Sequence, residues 1–407
     1  MNKETLLTTC CIAGGGPAGM MLGLLLARTG IDVIVLEKHA DFLRDFRGDT
    51  IHPSTLQVMH ELGFLDELLN RPHQKVYRLK GYAGDSEVTI ADFSKLGVQA
   101  PYIAFMPQWD FLNFIAEKAA NFPNFKLIMQ AEVTALITTG AQVTGAIAKT
   151  PGGEIHIHST LLIGADGRES NVRGLAGLQV HEYGAPMDAL WFRLSRLAGD
   201  PTDTFGRFLP GNIMIMINRG EYWQCGYVIP KGRFETLKQL GLAAFLESLG
   251  RNAPLLKDRV HELKEWDQIK LLTVKVDRLE RWYRHGLLCI GDAAHAMSPV
   301  GGVGINLAIQ DAVATANLLA DPLRSGALLT QHLALVQKRR IWPTRMTQRM
   351  QLFLHKRLIQ KILREDKPFH PPLPLRLLNR FPMLRRVTGY IIGIGFRPEH
   401  IEALKPP

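Results

Sequence analysis

Hydrophobic and polar positions follow two rhythms along this chain, and the clearest change of rhythm comes at the start. Thr8 to Ala13 is a short, β-prone, uncharged run, and Met20 to Arg28 is apolar at close helical spacing. Ile31 to Leu36 is apolar again. The pattern predicts a strand, a turn at Gly14-Gly15-Gly16-Pro17-Ala18-Gly19, a helix closed by Gly30, and a second strand with Glu37 at its end.

Further along, Pro53-Ser54-Thr55 opens a helix that carries Leu56, Met59, Leu62 and Leu65, with Ser54 as N-cap. Val76 to Ile90 reads as hairpin strands, Phe111 to Ala120 as an amphipathic helix, and Phe125 to His158 as strands parted by Gly140-Ala141 and Pro151-Gly152-Gly153. Leu161-Leu162-Ile163 is a buried strand running into Gly164-Ala165-Asp166-Gly167-Arg168. Asp188 to Ile229 is rich in β-branched and aromatic residues and predicts an antiparallel sheet. Phe234 to Leu249 reads as helix and Gly286 to Ile290 as strand, and a helix from Ile305 to Leu319 should stop before Asp321-Pro322. Leu375, Leu378, Phe381, Leu384 and Val387 keep helical spacing across Pro382, and Tyr390 to Phe396 is an uncharged run too short to span a bilayer.

The glycine turn has a chemical reading. Gly14 permits the tight turn, Gly16 lets a pyrophosphate approach the backbone, and Gly19 lets the helix pack close to the sheet. The helix N-terminus offers free N–H groups and a positive dipole end to phosphates. Glu37, eighteen residues after Gly19, can accept hydrogen bonds from a ribose hydroxyl. Leu6 to Ala27 lacks charge and follows Lys3, as in a signal peptide or membrane span, but Gly14-Gly15-Gly16-Pro17 would break such a helix.

Bulk properties narrow the class. The chain has 407 residues, 46% hydrophobic and 21% charged, which describes a globular protein of two domains. Cys10, Cys11, Cys225 and Cys289 have no metal-site or disulfide-scaffold spacing, which points to a reducing, cytoplasmic compartment. The net charge of +10 resides at the C-terminus, where Gln331 to Pro407 carries sixteen Lys/Arg against four Asp/Glu. That segment either contacts an anionic membrane at its inner face or caps the body and covers a pocket mouth. Pro371, Pro372, Pro374 and Pro382 interrupt its apolar stripe and favour the cap. No nucleic-acid-binding motif accompanies the charge. His156 and His158 read as a polar strand face, since no third ligand stands nearby. His52 and His295 adjoin the glycine-containing loops and read as packed or capping residues.

Three such loops follow strands: 14–19, 164–167 and 291–304. In order and spacing, the Gly14–Gly19 motif, Asp166-Gly167 and Gly291-Asp292 resemble the class A flavoprotein monooxygenases, which include para-hydroxybenzoate hydroxylase and the ubiquinone-pathway hydroxylases. The resemblance covers roughly residues 8–320. It implies an α/β fold: a discontinuous Rossmann-like FAD-binding domain (1–75, 101–180, 275–340), an interleaved antiparallel-sheet substrate domain (76–100, 181–274) and a basic helical C-terminal segment (341–407). It assigns Gly14, Gly16, Ala18, Gly19, Glu37 and Lys38 to the ADP half of FAD, with Arg47 and Gln108 also touching the cofactor. Asp166 lies in the motif associated with FAD and the pyridine nucleotide, and Asp292 resembles the residue that binds the ribityl chain. Arg47 reads equally as a surface salt bridge, and Asp292 alternatively as a helix N-cap.

The loop Pro299-Val300-Gly301-Gly302-Val303-Gly304-Ile305-Asn306 resembles the one along the isoalloxazine ring. Its bare N–H groups at a helix start favour the negative charge of reduced flavin. No catalytic side chain is assigned beyond this loop, at Pro299, Gly301 and Gly302. Trp191, Arg193, Trp223 and Tyr227 read evenly as substrate-pocket lining or sheet core.

The resemblance implies an enzyme that uses NAD(P)H and O2 to hydroxylate or epoxidise an electron-rich, typically aromatic, small molecule through a flavin C4a-hydroperoxide. A reductase of polyprenyl-type double bonds shares the fold. A halogenase would carry Trp-x-Trp-x-Ile-Pro, of which only Trp223 and Ile229-Pro230 are present, at the wrong spacing. A non-catalytic flavin-bound sensor or membrane adaptor is the rival from another class.

Overall fold

The structure, a computed structural model, describes residues 4–43, 50–83, 86–364 and 373–402. Arg47, assigned to the cofactor above, lies outside the described residues.

The charge-free N-terminal run is the centre of a sheet. Glu4–Ala13 pairs in parallel with Val33–Glu37 on one side and with Gly153–Gly164 on the other. Phe125–Met129 and Leu287–Cys289 extend this parallel core outward. Such strands are covered on both faces, which is why they read as continuous apolar runs rather than alternating ones. Pro17–Arg28 packs on the sheet between Gly304–Arg324 and Gln108–Ala119. The helix Val300–Arg324 is long and apolar enough to cross a membrane, but 83% of its apolar window is buried inside the protein.

The second large sheet among the described residues runs, in order, through Lys270–Leu272, Met187–Ser195, Tyr222–Pro230, Asn212–Asn218, Phe205–Leu209, Arg78–Ala83 and Ser86–Asp92. It is antiparallel except where Phe205–Leu209 meets Arg78–Ala83. Its outer face packs Leu190, Phe192, Trp223 and Tyr227 against the helix Leu242–Asn252. The Arg259–Asp200 pair locks the edge of that layer, with Trp223 Nε1 donating to the same carboxylate.

After Thr330–Leu354 the chain makes a π-helical turn, His355–Ile359, then a short helix, Gln360–Arg364. The helices Leu373–Arg380 and Pro382–Gly393 form a terminal hairpin lying along Ser86–Asp92. Thr89 N–H donates to Asn379 at 3.1 Å, and Thr388 Oγ1 donates to the Ile90 carbonyl at 2.6 Å. Gly389 sits so close that a Cβ there would lie 2.2 Å from the Asp92 carbonyl oxygen.

Several boundaries differ from the sequence reading. The long helix runs through Pro322 to Arg324, because the proline lies in the last turn, where little of the hydrogen-bond ladder remains to be broken. The expected helix over 234–249 divides at Gly241, whose φ of +90° no helical residue adopts. Pro382 starts a helix instead of merely breaking one, since its missing N–H is unneeded at the first position.

Candidate active site

The three glycine-containing loops converge on one cavity of about 880 Å³ that runs from the parallel sheet to the inner face of the second sheet. In the first loop Gly14, Gly16 and Gly19 have separate tasks. Gly14, at φ +110°, touches the Ala165 backbone, where a Cβ would lie 2.3 Å from the carbonyl oxygen. Gly19 lies against Gly14 itself, a built Cβ falling 1.9 Å from that carbonyl. Gly16 differs: nothing lies within 4 Å of its Cβ position, and it faces the cavity at the start of Pro17–Arg28 with no side chain capping the helix. Backbone donors, a positive dipole end and bare space make an anion cradle.

Glu37 lines the same end, with Ala18 and Lys38 beside it. One Glu37 oxygen accepts from Gly15 N–H at 3.0 Å and the other from His39 N–H at 3.1 Å. These bonds fix the carboxylate at the end of the second strand, where a ribose would meet it. Gln108 reaches the cavity from the first turn of Gln108–Ala119.

Asp166 also lines the cavity, yet its carboxylate is largely committed to its own loop. It accepts from Ser170 Oγ at 2.5 Å and from Val172 N–H at 3.0 Å, and burial pushes its pKa up. Asp292 caps no helix; it is half-buried at the cavity and takes a hydrogen bond from Arg168 at 3.1 Å. Arg168 was not singled out from sequence, and it joins two of the three loops at the cofactor end.

The loop from Pro299 to Gly304 turns through Gly301 and Gly302, at φ +81° and +66°. Its shape is held from a distance. Gln351, fully buried, accepts from Ser298 N–H at 3.1 Å and donates to the Ser298 and Val300 carbonyls at 2.9 and 3.0 Å. His355, on the π-turn, is 2.8 Å from Ser298 Oγ. Thr50 Oγ1 donates to the Gly302 carbonyl. Ile305 lines the cavity, whereas the Asn306 side chain turns away and accepts from Thr55 at 2.9 Å.

A buried charge network supports the start of the third loop. Asp311 accepts from Gly291 N–H, from His295 at 2.6 Å and from Arg340 at 2.9 Å, and Arg340 also reaches Glu399. Burial pushes the Asp311 carboxyl up, but His295 and Arg340 outweigh it and hold the pKa below the usual range. His295 thus works as structural packing. His52, fully buried, bonds the Ile392 carbonyl at 2.8 Å, and burial lowers its pKa to about 4.

At the sheet end the four pocket residues named from sequence part company. Trp191 lines the cavity, stacked against Gly226, where a Cβ would come within 3.0 Å of the indole. Trp223 and Tyr227 point to the opposite face, into the core beneath Leu242–Asn252, and Arg193 is exposed over the Tyr222 ring. Strand alternation is the reason: Gln224, Gly226 and Val228 face the cavity, so 223 and 227 cannot. The rest of the wall is apolar, from Phe205, Ile213 and Ile215 on the sheet to Ile391 and Ile392 on the terminal hairpin. Among the described residues, the cation at this end is Lys80, which pairs with Glu87 and Asp203.

Two helix N-termini aimed into one apolar cavity, with a ribose-distance carboxylate behind them, define a flavin site of the dinucleotide type. The chain belongs to the FAD binding domain family, which it matches over residues 7–350, and FAD is its cofactor. It is 30% identical over 388 residues to the 6-methylpretetramide 4-monooxygenase of Streptomyces rimosus, covering 94% of this chain and 92% of that protein. It is 25% identical over 324 residues to the 3-demethoxyubiquinol 3-hydroxylase of Escherichia coli, covering 77% and 80%. PqsL, a probable FAD-dependent monooxygenase from Pseudomonas aeruginosa, shares the fold at a TM-score of 0.73 and 20% identity, over 88% of this chain and 98% of that one.

Proposed function

We propose that this protein is an NAD(P)H-dependent FAD monooxygenase that hydroxylates a bulky, uncharged aromatic compound. FAD, when bound, supplies the oxygen-transfer chemistry after reduction by NAD(P)H. The protein's own residues do the rest. Gly16 and its helix N-terminus hold the diphosphate, Glu37 the ribose, and the 299–304 loop the ring edge. The apolar wall excludes water from the ring and orients the substrate.

The observation that carries the substrate class is the wall around Trp191 and Gly226. It is wide and apolar, and the cation there among the described residues, Lys80, is already paired with carboxylates. A benzoate-like substrate would leave its charge unmatched there, at a cost of several kcal/mol. The compound named for the Streptomyces relative, 6-methylpretetramide, is the first to try against such a wall. Four buried cysteines fit a cytoplasmic enzyme, with the basic C-terminal segment as its contact to a membrane's inner face.

The test is oxygen uptake and NADPH oxidation by the FAD-loaded enzyme across neutral polycyclic phenols and small aromatic acids. The proposal expects coupled turnover with the first group alone. Turnover confined to aromatic acids would overturn the substrate class, and flavin reduction with no oxygenated product would favour the reductase.

A further inference from the structure

The terminal hairpin has two apolar faces, and only one is used by the fold. Leu375, Leu378, Ile391 and Ile392 turn inward and line the cavity. On the other side Leu373, Leu377, Phe381, Met383, Val387 and Tyr390 are exposed; Phe381 is 50%, Val387 56% and Met383 75% accessible. Monomeric proteins seldom leave so many large apolar side chains together in water.

Within the hairpin the charge is of one sign. Residues 373–393 contain Arg376, Arg380, Arg385 and Arg386 and no Asp or Glu. Arg385 is spent on the carbonyls of Leu378 and Asn379, while Arg380 and Arg386 are exposed. The strand beneath offers Glu87 and Asp92, but Lys80 and Arg78 pair with them. Large apolar side chains edged by arginine, with no acid, complement an anionic lipid surface. A second copy of the chain is a poor occupant, because a two-fold contact would set these arginines against their own copies.

The ridge also adjoins the cavity mouth. Phe353, 60% exposed, lines the cavity together with Leu375 and Leu378. We infer that the outer face of this hairpin seats the protein on an anionic bilayer, with the mouth at Phe353 turned toward the acyl region, so that an apolar substrate enters from the membrane. This rests on the reading of the cavity as a site for a bulky, uncharged compound.

The test is flotation of the FAD-loaded full chain with vesicles of phosphatidylethanolamine and phosphatidylglycerol, against vesicles of phosphatidylcholine. Flavin absorbance is read in each fraction. Flotation is expected with the anionic vesicles, weakening with salt. Phe381→Asp combined with Met383→Asp and Val387→Asp should lower partition about tenfold or more while keeping bound flavin and the melting temperature. Arg380→Gln with Arg386→Gln should remove the preference for anionic lipid.

Because the native cysteines are buried, a fluorophore on Phe353→Cys reports the mouth, and Leu197→Cys, outside the hairpin, serves as control. Anionic vesicles should shift the emission of the first label to the blue and leave the second unchanged. Flavin-loaded protein that stays unfloated overturns the inference while leaving the enzymatic reading intact. Equal flotation of the Asp variant, or a dimer in solution that this variant dissociates, overturns it as well. An unmoved label at 353 overturns the orientation of the mouth. Flotation with no flavin retained would instead count against the cofactor reading.

Discussion

Two glycines three positions apart should respond to the same substitution with opposite signs. Gly16 has φ −74° and ψ −175°, an extended conformation open to any residue, and its Cβ position is clear of neighbours within 4 Å. Alanine there restricts the unfolded chain and strains nothing in the folded one, so the apoprotein should gain about 0.4–1 kcal/mol. The methyl group would project into the cavity at the diphosphate cradle, and the FAD-loaded form should lose. A loss of about 2 kcal/mol corresponds to roughly a thirtyfold rise in Kd. Gly19 is the reverse. A Cβ 1.9 Å from the Gly14 carbonyl must move off by more than 1 Å before it reaches even the 3.0 Å limit of real contacts. The helix would have to leave the loop, at about 3 kcal/mol or more.

The assay is urea unfolding of both apoproteins, followed by flavin fluorescence quenching on titration with FAD. Gly16→Ala should unfold at higher urea than the parent and bind FAD more weakly; Gly19→Ala should unfold at much lower urea. If Gly16→Ala binds FAD within a factor of about two of the parent, the diphosphate does not lie in this cradle and the assignment of the 14–19 loop fails.

Three further outcomes follow from other parts of the site. Gln351→Met removes three hydrogen bonds to residues 298–300 and leaves buried backbone groups unpaired, at about 1–3 kcal/mol each; flavin affinity and melting temperature should fall together, and unchanged affinity would show that the loop holds itself. His52, lowered from 6.5 to about 4, stays neutral in the folded state while the unfolded chain takes up a proton below 6.5. Stability should therefore fall as pH drops through the window from 6.5 to about 4, by about 2 kcal/mol between about pH 7 and about pH 5, and urea midpoints of His52→Gln should show less of this slope. Trp191→Phe should change KM or uncoupling with little effect on unfolding, whereas Trp223→Phe, which strips a hydrogen bond from Asp200, should lower stability and leave kcat/KM per folded molecule near the parent value.

The sequence made plain whatever is built within one stretch of chain. The 14–19 turn carries its chemistry in consecutive residues, and so does the 299–304 loop. The sheet end was illegible because its geometry is set by pairing between strands. Trp191 and Gly226 share a face only because the strands Met187–Ser195 and Tyr222–Pro230 register as they do, which places Trp223 opposite Leu194. A slip of one residue in Tyr222–Pro230 would turn Trp223 toward the cavity while Trp191 kept its face, and no local pattern reports that register. The helical spacing of Leu375, Leu378, Phe381, Leu384 and Val387 suggested one face, but the chain turns at Phe381. The first two go to the cavity and the last three to the surface.

The basic helix from Thr330 concealed more. Its polar composition gave no sign of a core, yet Arg340, Gln348 and Gln351 are buried, each satisfied by a group distant in sequence. Arg340 lies against Asp311, and Asp311 holds Gly291, the residue before Asp292 in the cofactor loop. Gln351 holds the ring-edge loop, and His52, which lies 3.3 Å from the Cβ position of Gly302, is bonded to the terminal hairpin at Ile392. The hairpin wall of the cavity and the glycine loops proposed to hold the flavin are therefore braced by the same few side chains. A displaced hairpin would act first on His52, whose ring lies beside the Gly302 backbone.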